Sequence, residues 1–184
     1  MGGESTMKSF NVVITTTGRD SIQTMIDSIA PQLSSADYLT IIWDTEPFHV
    51  KVPPYVKMIT IYNEEPMGWW GHGSRNHWIP KLPGDYIMNG DDDDIYLPDV
   101  MDTIRKVCTE HKLYIFKFLN RHGTVIPRSP QVKMNNIGTP CGIYPQLGEF
   151  PRWKFMYGGD GKFYESLSKI LPVEFNDLLI YKVL

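Results

Sequence analysis

The sequence predicts an α/β fold, with a mainly parallel sheet in its first half and a mixed second half. Two observations carry this. Through residue 108, apolar β-runs alternate with a segment of helical period, the pattern of β-α-β units. The β-runs also end in small polar or acidic residues: Thr15–Arg19, Asp44 and Asp91–Asp94. Parallel sheets bind ligands at these carboxyl ends.

Each element follows from local chemistry. Ser9–Thr17 is a buried β-run closing in three threonines. Gly18 and Arg19 turn the chain, and Asp20 or Ser21 serves as an N-cap. Ile22, Met25, Ile26, Ile29 and Leu33 then recur on one helical face. Tyr38–Trp43 is a second strand, closed by Asp44, and Val56–Tyr62 a third. After the loop NEEPMGWWGHG, Ser74–Lys81 reads as a short helix. Tyr86–Met88 is a short buried strand leading into four aspartates. Pro98 stands where a helix puts its first residue, and Val100, Met101, Ile104, Val107 and Cys108 form the apolar face. Leu113–Leu119 is another apolar run. Asn120–Trp153, rich in Gly and Pro, reads as hairpins and loops; Gly161–Ile170 is a helix and Phe175–Val183 the last strand.

At 184 residues, 42% hydrophobic and 21% charged, the chain suits one domain whose core needs no disulfide or metal staple. Residues 1–8 are expected to be a leader or tag, and 9–184 a single domain. A net charge of −3 argues against nucleic acid as a partner. Cys108 and Cys141 match no metal-ligand spacing and read as buried thiols in a reducing compartment. No apolar run approaches the ~20 residues of a membrane span. The opening MGGESTM lacks the basic and apolar regions of a signal peptide. A cytoplasmic protein is the expectation.

Four of the 21 acidic residues are consecutive, Asp91-Asp92-Asp93-Asp94. Adjacent carboxylates repel one another. Such a run is either a solvated acidic turn or an oxygen-rich seat for a hard ion, Mn²⁺ or Mg²⁺, which also engages substrate phosphates. Its place between a buried strand and a helix favours the ion. An EF-hand is excluded because Tyr96 stands where its glycine is needed. An aspartyl-phosphate phosphatase would want a threonine shortly after the aspartates, and none is there.

The order of segments resembles a GT-A glycosyltransferase of the inverting family 2 type. TTTGRDSIQTMIDSIAPQ is similar to the family's opening strand and helix, and Asp44 in IIWD corresponds to an aspartate closing its second strand. MGWWGHGSRNHWIPKLPGDYI resembles its glycine-containing loop with an Arg-Asn pair, and MNGDDDDIYLPDV its DxD motif with a trailing proline. The resemblance runs from about Ser9 to Cys108. The wording GDDDDIYLP is also similar to small glycosyltransferases encoded by large algal DNA viruses.

The resemblance implies a GT-A fold, with a nucleotide-sugar-binding half at 9–108 and an acceptor and catalytic half at 109–184. It implies a UDP-sugar donor, UDP-glucose being the best guess, and a glycan or other hydroxyl acceptor. Asp93 would be the direct metal ligand. Asp91 would lie near the ribose or a metal-bound water, with the frame able to slip to Asp92 and Asp94. Thr15, Thr17 and Arg19 would surround the nucleotide, and Asp44 would accept from the uracil ring NH; a turn residue is the alternative for Asp44. Arg75 would contact diphosphate or base through its rigid fork, or form a surface ion pair. Gly68, Gly71 and Gly73 would let backbone approach the ligand. Trp69 and Trp70 would stack on a sugar or belong to the core, and Asp94 is a further sugar or acceptor contact. An inverting transfer needs a base. In MYGGDGKFYESL, Asp160 holds that position, with Gly159 where the family has an acidic residue; helix N-capping is the alternative. Glu149 and Glu165 are reserve candidates, and His72 reads as locally hydrogen-bonded. With little chain after Asp160, a homodimer or partner domain would complete the acceptor site. Two rivals remain. One is a pyrophosphorylase-like nucleotidyltransferase, whose glycine-rich loop TTTGRD matches poorly. The other is a non-catalytic nucleotide- or carbohydrate-binding domain.

Overall fold

The computed structural model describes residues 7–184. Of the leader expected at 1–8, only Met7 and Lys8 therefore come into view, and residues 1–6 lie outside the described residues. The elements are β1 (Phe10–Thr16), α1 (Ile22–Ile29), β2 (Tyr38–Trp43), β3 (Lys57–Tyr62), α2 (His72–Trp78), β4 (Tyr86–Asp91) and β5 (Asp94–Tyr96). There follow α3 (Val100–Val107), β6 (Leu113–Leu119), β7 (Val125–Ile126), β8 (Gly142–Pro145), α4 (Gly159–Leu167) and β9 (Val173–Val183).

Among the described residues nine strands share one sheet, in the order β3-β2-β1-β4-β8-β6-β9-β5, with β7 on β6. β1, buried at every residue, pairs in parallel with β2 and β4, and β2 with β3. The antiparallel pairings, β4-β8, β6-β8, β6-β7 and β5-β9, all involve the second half or the short β5. This is the α/β arrangement with a parallel first half and a mixed second half. α1 covers the sheet with Ile22, Met25, Ile26 and Ile29, and α3 with Val100, Met101 and Ile104.

Several boundaries differ from the sequence reading. β4 runs three residues beyond Met88 because its backbone keeps pairing with β1, Gly90 opposite Ile14 and Asp91 opposite Thr15. Ladder bonds carry it past the apolar pattern and set the first aspartate on a strand. β8 lies within the Asn120–Trp153 stretch read as hairpins and loops, yet it joins β4 to β6 in mid-sheet. Its first residue must be small: a Cβ on Gly142 would stand 2.1 Å from the Tyr164 ring. Pro98 does not open α3. Asp99 precedes the helix in the left-handed region (φ 59°) without a capping bond. Gln32 Oε1 instead accepts from Val100 N and Met101 N, at 2.9 and 3.4 Å. α2 starts two residues early and gives way at Trp78 to a 3₁₀ turn containing Pro80. Ser21 sits at the α1 N-cap without a side-chain bond.

A buried carboxylate ties the opposite, amino-terminal edge of the sheet. Asp37, fully buried, accepts from Phe10 N (2.9 Å), Ser34 N (2.7 Å), Ser34 Oγ (2.8 Å) and both terminal nitrogens of Arg105 on α3. Burial pushes the Asp37 carboxyl up. Arg105 and the hydrogen bonds from Ser34 and Phe10 outweigh it and hold the group below the usual aspartate range. Its contribution to stability is therefore present above that range and lost as pH falls through the depressed value. Asp37→Ala leaves Arg105 and two backbone N–H groups unpaired. It should cost about 3–5 kcal/mol, read as a lower urea midpoint at neutral pH, with the deficit shrinking in acid.

Candidate functional site

A cleft of about 610 Å³ opens at the carboxyl ends of β1, β2 and β4. Thr15–Thr17, Arg19, Asp44 and the acidic turn line it, together with Phe118, Asn120–His122, Gly138–Pro140, Met156–Gly158 and Asp160. Of the residues singled out in sequence for the site, Thr15, Thr17, Arg19, Asp44, Gly68, Trp70, Gly71, the four aspartates and Asp160 line this cavity, whereas Trp69, Gly73 and Arg75 do not.

The acidic turn is built so that each carboxylate has a different environment. Asp91 ends β4 and Asp94 begins β5, leaving Asp92 and Asp93 at the tip. Asp91 Oδ1 accepts from Arg75 at 2.7 Å. Asp92 is buried and accepts from Thr16 Oγ1 at 2.5 Å, with Arg19 at 3.5 Å. Burial, with Asp93 and Asp91 nearby, raises its pKa against the pull of Thr16 and Arg19. Asp93 is 48% exposed and pairs with Arg19. Asp94 accepts from Leu184 N at 3.2 Å and is pushed up to about 7, by burial first and then by Asp91.

Arg75 lies beneath the cleft rather than on its wall, its side chain 0% exposed. It donates to Trp70 O (2.9 Å), Gly90 O (3.1 Å) and Asp91, and its guanidinium lies 5.2 Å from the Trp153 ring centroid. Neither ligand contact nor surface pairing describes it: its partners are a loop carbonyl, a strand carbonyl and an aspartate of the turn. Asn76 beside it grips Trp153 by the backbone, Nδ2 to O at 2.9 Å and Trp153 N to Oδ1 at 2.8 Å. The Arg-Asn pair thus fastens the first half of the chain to the second.

Asp44 is the acceptor in a buried network. Its Oδ1 accepts from Asn63 Nδ2 (2.5 Å) and Ser74 Oγ (2.8 Å), its Oδ2 from Gly68 N (3.2 Å). The last bond ties down the glycine-containing loop. Trp69 and Trp70 both adopt left-handed backbone (φ 54° and 52°), a strained state for non-glycine residues. Both indoles are exposed, Trp70 by 65%, so neither is core; Trp69 stacks on Phe155 at 5.9 Å. Gly71 has no room for a side chain, since a Cβ would stand 2.1 Å from Thr15 Oγ1.

Asp160 lies in the first turn of α4, which begins two residues earlier than its apolar pattern predicts. Gly158, not Asp160, is the N-cap. Asp160 Oδ1 accepts from Gly161 N at 2.7 Å. Burial raises its pKa, with Asp91 adding to the rise and Gly161, His72 and Thr139 opposing it. The flanking glycines are required by space: a Cβ at 159 would lie 2.1 Å from Lys154 O and 2.9 Å from His72 Cε1, and one at 161 would lie 2.8 Å from Met134 Cα. An acidic residue at 159 does not fit this chain. Glu165, which accepts from Met134 N at 2.7 Å, and the exposed Glu149 lie outside the cleft.

No protein-family model matches the sequence, and no curated protein matches it either. Solved structures do. The chain superposes on Staphylococcus aureus TarS residues 1–349 with a TM-score of 0.71 at 15% identity, over 95% of this chain and 60% of that one. That fragment is also known in complex with UDP-GlcNAc, matched at 0.69 and 16%. A mannosyltransferase of Pyrobaculum calidifontis, solved with GDP-Man and Mn²⁺, matches at 0.65 and 12% identity, over 97% of this chain and 57% of that one. The fold is that of the GT-A glycosyltransferases. The chain spans about three-fifths of the TarS fragment and of the mannosyltransferase, and 36% of the longer TarS chain.

Within this cleft, sequence reasoning missed Thr16, Asn120, Arg121, His122 and Thr139, while His72, read as locally hydrogen-bonded near the site, lines the wall. His72 does bond locally, Nδ1 to Lys154 O at 2.8 Å. Asn-Arg-His directly after the β6 run repeats the habit of polar residues at a strand end and was the available signal. Because Arg75 bridges three acceptors from a buried position, Arg75→Lys cannot reproduce its fork. The exchange should lower the melting temperature by about 4–8 °C, roughly 2 kcal/mol, in a thermal unfolding scan.

Proposed function

We propose that this chain is a metal-dependent inverting glycosyltransferase that moves a hexose from a UDP-sugar, UDP-glucose by preference, to a hydroxyl of a glycan or similar acceptor. One observation carries the reading: the acidic turn at the end of β4 and a carboxylate from the first turn of α4 line one and the same cavity. In this reading residues 9–108 hold the donor, residues 109–184 supply the acceptor and catalytic side, and a second copy or partner domain completes the acceptor site.

The donor set fits a divalent ion of a particular kind. Among the described residues, no three His, Cys, Asp or Glu side chains converge as a ligand cage. Mg²⁺ and Mn²⁺ bound to nucleotides typically take one or two carboxylates and complete their shell with water and phosphate oxygens. Asp93, the most exposed of the four, and Asp91 are the proposed ligands. Such an ion would neutralise charge on the departing diphosphate. Arg19, half-exposed and paired to the turn through Asp92 and Asp93, is placed to follow that charge to the phosphates. Arg75 holds Asp91 in position from below. Thr15 and Thr17 border the nucleotide, and Asp44 accepts from the uracil ring NH. Trp70 offers a flat face to the sugar or acceptor, and Trp69 supports it.

Asp160 would take the acceptor hydroxyl proton as that oxygen attacks the anomeric carbon on the face opposite the diphosphate. Its raised pKa makes it a better base than an ordinary aspartate.

Two measurements test this. In calorimetric titrations with UDP, wild-type affinity should rise at least about tenfold on adding Mn²⁺, a gain of roughly 1.4 kcal/mol. Asp93→Ala should abolish that gain, and a variant that kept it would remove Asp93 from the ligand set. With transfer followed as UDP release, Asp160→Asn should lower kcat by about 10²–10⁴-fold while sparing UDP binding. The wild-type rate should fall in acid with a midpoint above the usual aspartate range, since the base must be ionised to act. Release of pyrophosphate in place of UDP would point to the nucleotidyltransferase instead.

A further inference from the structure

Asp44 is held by a chain of bonds that leaves its two oxygens unequal. Asn63 Nδ2 donates to Asp44 Oδ1 at 2.5 Å and to Ser74 Oγ at 2.9 Å. Ser74 Oγ passes its own hydrogen to the same Oδ1 at 2.8 Å. Both hydrogens of the Asn63 amide are thereby used, and Oδ1 is filled by two donors. Oδ2 receives only Gly68 N, at 3.2 Å, and a carboxylate oxygen has about two acceptor sites. Asp44 lines the cleft, so the remaining acceptor site belongs to Oδ2.

What sets this pattern is Trp78, which does not line the cleft. Its Nε1–H donates to Asn63 Oδ1 at 2.7 Å. An indole nitrogen is a donor only, so it accepts the oxygen end of the Asn63 amide and rejects the nitrogen end. That fixes the amide with its NH₂ toward Asp44 and Ser74. With the amide reversed, a carbonyl oxygen would face a carboxylate. Four segments meet in this network: the end of β2 (Asp44), the end of β3 (Asn63), α2 (Ser74 and Trp78) and the loop at Gly68. Asn63 N also bonds Trp43 O at 2.9 Å.

We infer that Trp78, Asn63 and Ser74 are positioning residues that commit Asp44 to present one acceptor oxygen to the nucleobase, and that this relay sets base selectivity. The inference rests on the nucleotide-binding reading above. A base with a ring N–H facing Oδ2, as uracil has at N3, completes the network. Cytosine, whose N3 is an acceptor, sets one acceptor against another and leaves both unpaired.

The test compares UDP with CDP, each with Mn²⁺, by calorimetric titration of the wild type, Trp78→Phe and Ser74→Ala. Trp78→Phe keeps an aromatic ring and removes the donor that orients Asn63. Wild type should prefer UDP by about 10–100-fold, and both variants should lose at least about fivefold of that ratio. A purely structural role would weaken UDP and CDP in proportion and leave the ratio unchanged. Ratios unchanged in both variants would overturn the relay, as would a wild type that binds the two nucleotides equally, with nucleotide binding itself standing in either case. A wild type that binds neither nucleotide would defeat the nucleotide reading, and the relay with it. Ser74→Ala keeps the comparison decisive if Trp78→Phe fails to fold.

Discussion

Four carboxylates at the end of one strand repel one another, and much of the fold around them answers that charge. A turn of this kind in open solvent is screened; here Asp92 and Asp94 are buried, where screening is weak. Three groups meet the load from three directions. Arg75 comes from below to Asp91, Arg19 from the β1–α1 turn to Asp92 and Asp93, and the Thr16 hydroxyl from the end of β1 to Asp92. Arg75 is fully buried and Arg19 half-exposed, so one cation is fixed and the other is free to respond to a ligand. On the proposed reading, that division lets the site hold its shape before a phosphate arrives and still offer a charge to it.

The fixed cation also explains how the two halves of the chain are joined. Arg75 stands over the Trp153 ring, Trp153 stacks on Phe163 at 4.4 Å, and Asn76 closes a two-way backbone pair with Trp153. Phe163 belongs to α4, the helix that carries Asp160. One buried aromatic therefore links the residue bracing the acidic turn to the helix bearing the Asp160 carboxylate. A displacement of Trp153 would be felt at both places at once.

The first half was legible because its signals are local. β1 reads as apolar because it is buried on both faces, and α1 and α3 show one-sided apolar periods because each covers one face of the sheet. Strand ends rich in Thr and Asp located the cleft before its depth was known. What stayed hidden depends on partners far along the chain. β8 carries a glycine and a proline and looks like a turn until Tyr164 is seen filling the space above Gly142. Arg75 reads as a ligand-seeking guanidinium until Trp70 O, Gly90 O and Asp91 are found around it. Helix starts were missed for a related reason. Gln32, remote in sequence, caps α3, and glycines chosen for close contact open α4.

Those glycines show how Asp160 is placed. Gly159 lets α4 begin against Lys154 O and the His72 ring, and Gly161 lets its first turn press on the Met134 backbone. Between them Asp160 has no freedom to move outward, since the helix start is pinned on both sides. Close backbone approach thus does for Asp160 what ion pairing does for Asp91. Each carboxylate is placed by the means local to it, charge at the acidic turn and steric contact at the start of α4. Substitution should therefore separate the two: altering a cation disturbs the acidic turn first, and adding a methyl group at 159 or 161 disturbs the helix start.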